Sequence, residues 1–414
     1  MQKRKSACGF RFFCFFSIEK KNIDRFGKNI RLPLHSSGSF RNNEKNTTMT
    51  TTISSIALAM TGILATGESA WLPVAVGTYT SGESKGIYSL SFNQDNGESR
   101  IIAASKAVNP SFLAENDNGS VLYAVDESGT DTDAIHAFSF GEKGEFIHLG
   151  SISTEGKAPC HVSTKRQIAV TANYSGGSLT VFSLKADGSL DRRLRTFEFP
   201  LTGPAPDSIR QHSAHVHCAV FHPDGRHLMA TDLGNDCIYT FAFRPDRNQP
   251  LTLKTTTPVT PGAGPRHLTF SHDGRFAYLV TELSGEVMVF ACEEGQLKWL
   301  QTELCDEFHA RASADIRLSP DGRFLYASCR RTNDGITIFS VDESSGKISR
   351  ISRQPTAVHP RNFAISPNGK FLLCACRDSD KIQVFAIDPD TGLLTDTHQD
   401  ISIPAPVCVL FTRR

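Results

Sequence analysis

His217, Arg266, Glu282 and Arg330 are the residues of this sequence whose types and spacing could carry a reaction. An imidazole exchanges protons near neutrality, a carboxylate can orient or assist it, and guanidinium forks bind oxyanions and phosphates. The four come from two recurring slots. In a repeated Pro-x-x-apolar word the residue after the Pro position reads Ser111, Cys160, His217, Arg266, Ala314, Arg361 and Val407, the first slot. The second slot, eight residues past a turn glycine where one exists, reads Tyr79, Glu127, Asn173, Leu233, Glu282, Arg330 and Arg377.

The slots make sense only if the elements that carry them repeat. From residue 71 onward an apolar segment leads to an Asp-Gly or Asn-Gly turn, then an aromatic-rich strand, a polar hairpin and an I-x-x-F strand. The glycines Gly225, Gly274, Gly322 and Gly369 lie 49, 48 and 47 residues apart; Gly119 precedes Gly225 by 106, two periods with a degenerate turn near STKRQIAV. Seven segments match one strand of the unit: GIYSLSF, AIHAFSF, SLTVFSL, CIYTFAF, EVMVFAC, GITIFSV and KIQVFAI. The period predicts an all-β, seven-bladed β-propeller with four-stranded antiparallel blades over 71–414. The region opens at LPVAVGTYT, a second strand, and ends at APVCVLFT, a first strand, so both termini are expected to share the closing blade.

In such a blade the innermost strand begins, and its antiparallel neighbour ends, at the same face. Both slots therefore open on one mouth of the central channel, where convergent charges are the default small-ligand site. Taken singly, each Arg and Glu reads more readily as a structural ion pair tying blades together; matched slots in three adjacent blades favour function. Arg361, Arg377, His161, Glu127, Asn173 and His215 are the expected substrate-binding residues. His215 and His217 alternate onto one face, and His161 or His267 could approach across blades, but no third ligand at suitable spacing is evident. No metal and no cofactor are expected. His222 and His272 fall in turns and read as solvated surface.

Composition excludes several classes. Lys+Arg 44 against Asp+Glu 43 leaves a net charge of +1, which favours neither nucleic acid nor an anionic membrane as partner. Eleven cysteines show no CxxC pairing, so neither disulfides nor a zinc framework is expected. GxSxG, P-loop and GxGxxG patterns are missing, as are WD dipeptides. Residues 1–70 differ from the rest and read as a leader, disordered or exported: 1–48 are basic and aperiodic, and ISSIALAMTGILA at 53–65 has the length of a signal-peptide core. Met49 is an alternative start.

The words VGTYT, NPSFLA, LYAVDE, ANYSGGSLTVF, HVHC, GPRHLTFSHDGRFAY, SADIRLSPDGRFLYAS and PRNFAISPNGKFLL carry a resemblance. Over residues 73–414 the chain resembles the propeller-type 6-phosphogluconolactonase family, which also includes fungal carboxymuconate cyclases. The resemblance implies hydrolysis of 6-phospho-D-glucono-1,5-lactone to 6-phosphogluconate in the pentose phosphate pathway. A His, two Arg and a Glu implicated in the cyclase branch fall on His217 in HVHC, Arg266 in GPRH, Glu282 in TEL and Arg330 in SCRR. His217 would then be the general base, oriented or assisted by Glu282, while Arg266 and Arg330 hold the oxyanion or the phosphate. Cys329 stands where relatives usually carry Asn before the Arg. Alternatives are a lactonase or cyclase acting on another sugar lactone or a carboxymuconate, and a non-enzymatic propeller binding a protein or glycan. The expected partner is a small sugar lactone, the expected form a monomer or weak dimer, and the expected location cytoplasmic, or periplasmic or secreted if 49–70 export the chain.

Overall fold

The computed structural model describes residues 70–413 apart from 132 and 203–205; the leader, up to residue 69, lies outside the described residues. Seven antiparallel sheets are present, each with a first, innermost strand joined in order to a second, a third and an outermost one. Blade 1 takes Pro406–Phe411 as its innermost strand and Trp71–Thr78, Gly86–Asn93 and Ser99–Lys106 as the rest. Val76 pairs with Val409, so the two ends of the propeller are stitched in one sheet as the repeat phase predicts. Blades 2 to 7 begin with Leu113–Glu115, Pro159–Lys165, Val216–Phe221, Pro265–Phe270, Ser313–Leu318 and Pro360–Ile365.

Second strands such as Phe276–Thr281 and Phe324–Cys329 are buried along their whole length, because neighbouring blades cover both faces. Outermost strands such as Leu251–Pro258 show one sheltered and one wet face. The core is accordingly a series of interblade layers, for example Val76, Leu90, Phe92, Leu373 and Val384 between blades 1 and 7. The turn glycines Gly119, Gly225, Gly274, Gly322 and Gly369 all have φ between 66° and 76°, the left-handed region that a tight first-to-second turn requires. Blade 3 places Arg166 there instead, at φ 55°, with its N–H donated to Asp117 Oδ2. That is the degenerate turn of the repeat.

Pairing between first and second strands slips at the channel end in blade after blade: between Pro159 and His161, Val216 and Cys218, Pro265 and His267, and Pro360 and Asn362. Each slip is a β-bulge that leaves one residue outside the ladder and re-aims its side chain. The residues left out are Cys160, His217, Arg266 and Arg361, which is the first slot of the repeat. The nine described cysteines are free thiols. Among the described residues no helix is long and apolar enough to cross a membrane.

Candidate active site at the channel mouth

A cavity of about 510 Å³ opens at the face where first strands begin. His217, Glu282 and Arg330 line it, as do Arg361, Arg377 and Glu127. Glu282 is the hub. Its Oε2 accepts from Arg266 Nε at 2.9 Å and lies 3.5 Å from Arg330 Nη2 and 3.8 Å from His217 Nε2. Its Oε1 accepts from Arg210 Nη2 at 2.5 Å. Burial raises the pKa of this carboxyl, but the charges of Arg330, Arg266 and Arg210 outweigh it and bring the value to about 2.

Burial, together with the charges of Arg266 and Arg361 and the nearby His267, drives the His217 imidazole well below its ordinary value. His217 is therefore neutral at pH 7; it lines the cavity with Nε2 on the Glu282 side and Nδ1 3.7 Å from Cys160 Sγ. Burial also lowers the Arg330 guanidinium, to about 9, so it remains a cation at neutral pH. Each of its nitrogens has a partner: Nε donates to Ala312 O, Nη1 meets His359 Nε2 and Nη2 donates to Ser313 O.

A second constellation faces this one across the mouth. Tyr79 donates its hydroxyl to Glu127 Oε2 at 2.8 Å, Arg361 Nη2 lies 3.5 Å from the same oxygen, and the Arg361 guanidinium sits 5.2 Å above the Tyr79 ring. Between the two, His359 links Arg330 to Arg377, whose Nη2 is 3.1 Å from His359 Nδ1. Five arginines line the cavity, Arg210, Arg330, Arg331, Arg361 and Arg377, against the carboxylates Glu127, Glu282 and Asp378. The rim thus carries a surplus of positive charge inside a nearly neutral protein.

Several sequence expectations are corrected. Asn173 is fully buried and bonds Ser178 and Thr180 within its own blade, so it does not reach the mouth; Tyr174, one residue on, lines the cavity. His161 lies deeper in the channel against Phe112 and His267. His215 stacks on Tyr174 with ring centroids 4.4 Å apart and bonds its carbonyl, so it supports the wall. Arg266 sits behind Glu282 and does not line the cavity, with Nη1 donated to Ala314 O; contact with an oxyanion or phosphate is not where its geometry places it. His222 is not solvated: it is buried, with Nε2 2.9 Å from Gly274 O of the next blade. His272 is exposed, as expected from its turn. Arg210, Tyr174, Arg331, His359 and Asp378 were missed.

A family model described as Lactonase, 7-bladed beta-propeller, matches residues 73–411. A Formosa agariphila protein named 6-phosphogluconolactonase is 36% identical over 340 residues, covering 79% of this chain and 96% of that protein. A Bacillus subtilis protein of the same name is 35% identical, covering 81% and 97%. A solved Bacteroides fragilis structure shares 46% identity and superposes with a TM-score of 0.81, covering 83% of this chain and 98% of that one. The structure of a Pseudomonas aeruginosa periplasmic gluconolactonase is 34% identical, with a TM-score of 0.78, covering 83% and 99%.

Proposed function

This chain belongs to the lactonase family of seven-bladed β-propellers, and we propose that it is a 6-phosphogluconolactonase acting at the arginine-rich channel mouth. The observation that carries the reading is the rim itself: a neutral imidazole beside a buried Arg–Glu hub, in a cavity whose surplus guanidinium groups suit a phosphorylated sugar acid.

The chemistry can be written from these residues. A water molecule gives its proton to His217 Nε2 as its oxygen adds to the lactone C1 carbonyl, and a tetrahedral oxyanion forms. The C1–O5 bond then breaks, and the imidazolium returns the proton to the departing ring oxygen. Guanidinium charge steadies the oxyanion, so this route draws on no metal. Glu282, with a pKa near 2, is too weak a base to compete; it fixes Arg210, Arg266 and Arg330 in register. In this reading Arg361 and Arg377, which line the cavity, hold the phosphate, with Glu127 and Tyr79 on the sugar hydroxyls. Such a substrate is a metabolite of the cytoplasm and the pentose phosphate pathway.

The named periplasmic relative keeps a second reading open, an unphosphorylated gluconolactone as substrate. A lactone panel with spontaneous hydrolysis subtracted decides between them. The phosphorylated lactone is expected to be preferred by at least about tenfold in kcat/KM, and Arg361→Gln is expected to erase most of that preference, since a charge-assisted contact is worth about 1.5–3 kcal/mol. Equal or better turnover of the unphosphorylated lactone would transfer the assignment to the second reading.

A pH profile tests the base. Because the native environment holds His217 neutral, kcat/KM on unphosphorylated gluconolactone should stay level as pH falls from 7.5 through 6.5 and drop only at lower pH. An acid limb centred at 6.5 or above would show an imidazole that neither burial nor the arginine charges control.

A further inference from the structure

The guanidinium groups around Glu282 differ in what they still have to offer a substrate. Arg330 has all three nitrogens engaged by Ala312, Ser313, His359 and Glu282. Arg266 is only 2% exposed and gives Nε to Glu282 and Nη1 to Ala314 O. Arg210 is 27% exposed and lines the cavity, and only its Nη2 is engaged, by Glu282 Oε1 and at 3.4 Å by Tyr174 Oη. Its Nε and Nη1 have no partner among the described residues.

Arg210 is also delivered by a segment that no other blade has. The connection from the outermost strand of blade 3 to the first strand of blade 4 runs through 199–215, whereas the others run through 107–112, 154–158, 259–264, 305–312, 356–359 and 403–405. The described parts of these connections lie at the mouth, where first strands begin. The part that carries Arg210 is tightly held. The Asp207 carboxylate accepts from the N–H groups of Ile209 and Arg210 and from Arg311, and buried Gln211 donates to Leu233 O at 2.9 Å. A cation fixed at both its backbone and its Nη2, with two donors still open, is preorganised in the sense that oxyanion stabilisation needs. It shares one carboxylate with the base: Glu282 turns Oε1 to Arg210 and Oε2 toward His217.

We propose that Arg210 is a catalytic residue of the lactonase reaction, presenting Nε and Nη1 to the oxyanion that forms when water adds at C1, while Arg266 and Arg330 position Glu282. The inference rests on the lactonase reading and moves the oxyanion contact from the repeat slots to the inserted segment. The oxyanion is common to every lactone, so the effect should not depend on the phosphate. Arg210→Ala should lower kcat about 100-fold on phosphorylated and unphosphorylated gluconolactone alike, leave KM within about threefold, and recover part of the rate when guanidinium is added.

The test begins with the wild-type protein on both lactones; no turnover of either sinks the lactonase reading and this inference with it. With wild-type turnover in hand, a loss confined to the phosphorylated lactone makes Arg210 a phosphate ligand and overturns the proposal. So does an unchanged kcat, or a loss that guanidinium does not restore in a variant with the wild-type unfolding midpoint. Should the alanine variant unfold, Arg210→Lys keeps the charge beside Glu282 but loses the fork. It is expected to lose about tenfold in kcat on both lactones, and full activity would be equally fatal.

Discussion

His217→Gln is expected to lower kcat/KM on the preferred lactone by about 10³-fold while the propeller keeps its unfolding midpoint within a few degrees. General-base catalysis contributes on the order of 10²–10⁴-fold, and His217 is, with His359, one of two imidazoles among the described residues lining the cavity, held neutral beside Glu282. His359, the other imidazole on the rim, is spoken for: Arg330 and Arg377 occupy its two nitrogens, and burial with their charges takes it to about 3. His215 and His267 cannot step in, since neither lines the cavity: His215 packs on the Tyr174 ring and His267 is held by Asp315 Oδ1. The fold should tolerate the change because His217 sits on a bulge, outside the ladder between Val216–Asp232 and Cys218–Thr231. Glutamine fills similar volume without a basic nitrogen. Steady-state rates with spontaneous hydrolysis subtracted, alongside a thermal melt, give the answer; turnover within about threefold of wild type would remove His217 from the mechanism.

The propeller was readable because its signal is redundant. A missed turn glycine or a weak strand in one blade is corrected by the other six, and the phase of the terminal segments told which blade closes the ring. The site was readable for a related reason. The bulge recurs at one place in the repeat, so the word that marks it also marks the side chains turned into the channel: Cys160, His217, Arg266 and Arg361. The reading failed where the repeat itself is broken. In blade 3 the tight turn is made by Arg166 in a left-handed conformation that glycine fills elsewhere, and with no glycine to count from, the slot was set one residue early. Counting eight from Arg166 arrives at Tyr174, the residue that lines the cavity, rather than Asn173, whose amide is spent inside the blade. Arg210 and His359 lie in connections between blades and obey no period, so alignment of repeats could not find them. The length of the 199–215 connection was visible, but nothing in it told that Asp207 and Gln211 would press Arg210 onto Glu282.

The same hub predicts that Glu282→Gln is the most destabilising single change at the mouth. Wild-type Glu282 is 7% exposed and offsets the charges of three arginines, two of them as buried as itself. Removing one partner of a buried ion pair costs about 3–5 kcal/mol, because the other charge is left desolvated and unpaired. Here Arg266 suffers most, since at 2% exposure its Nε is cut off from solvent. The pH dependence follows from the same carboxyl. Its native pKa, about 2, lies below the ordinary 4.5, so the stability it contributes is complete above pH 4.5 and is lost as pH falls toward 2. A depression of that size corresponds to on the order of 3 kcal/mol. Urea unfolding at pH 7 and pH 3 should therefore show a large gap between wild type and Glu282→Gln at pH 7 that narrows at pH 3. Activity should fall with stability, because Arg210 and Arg330 lose the carboxylate charge that sets their places. Pairing the change with Arg266→Met, which removes the stranded cation, should recover part of the stability and none of the rate. A Glu282→Gln protein as stable as wild type at pH 7 would mean that Arg266 and Arg330 are held by backbone carbonyls and Arg210 by Tyr174 without the charge, and that the carboxylate is not the hub its distances describe.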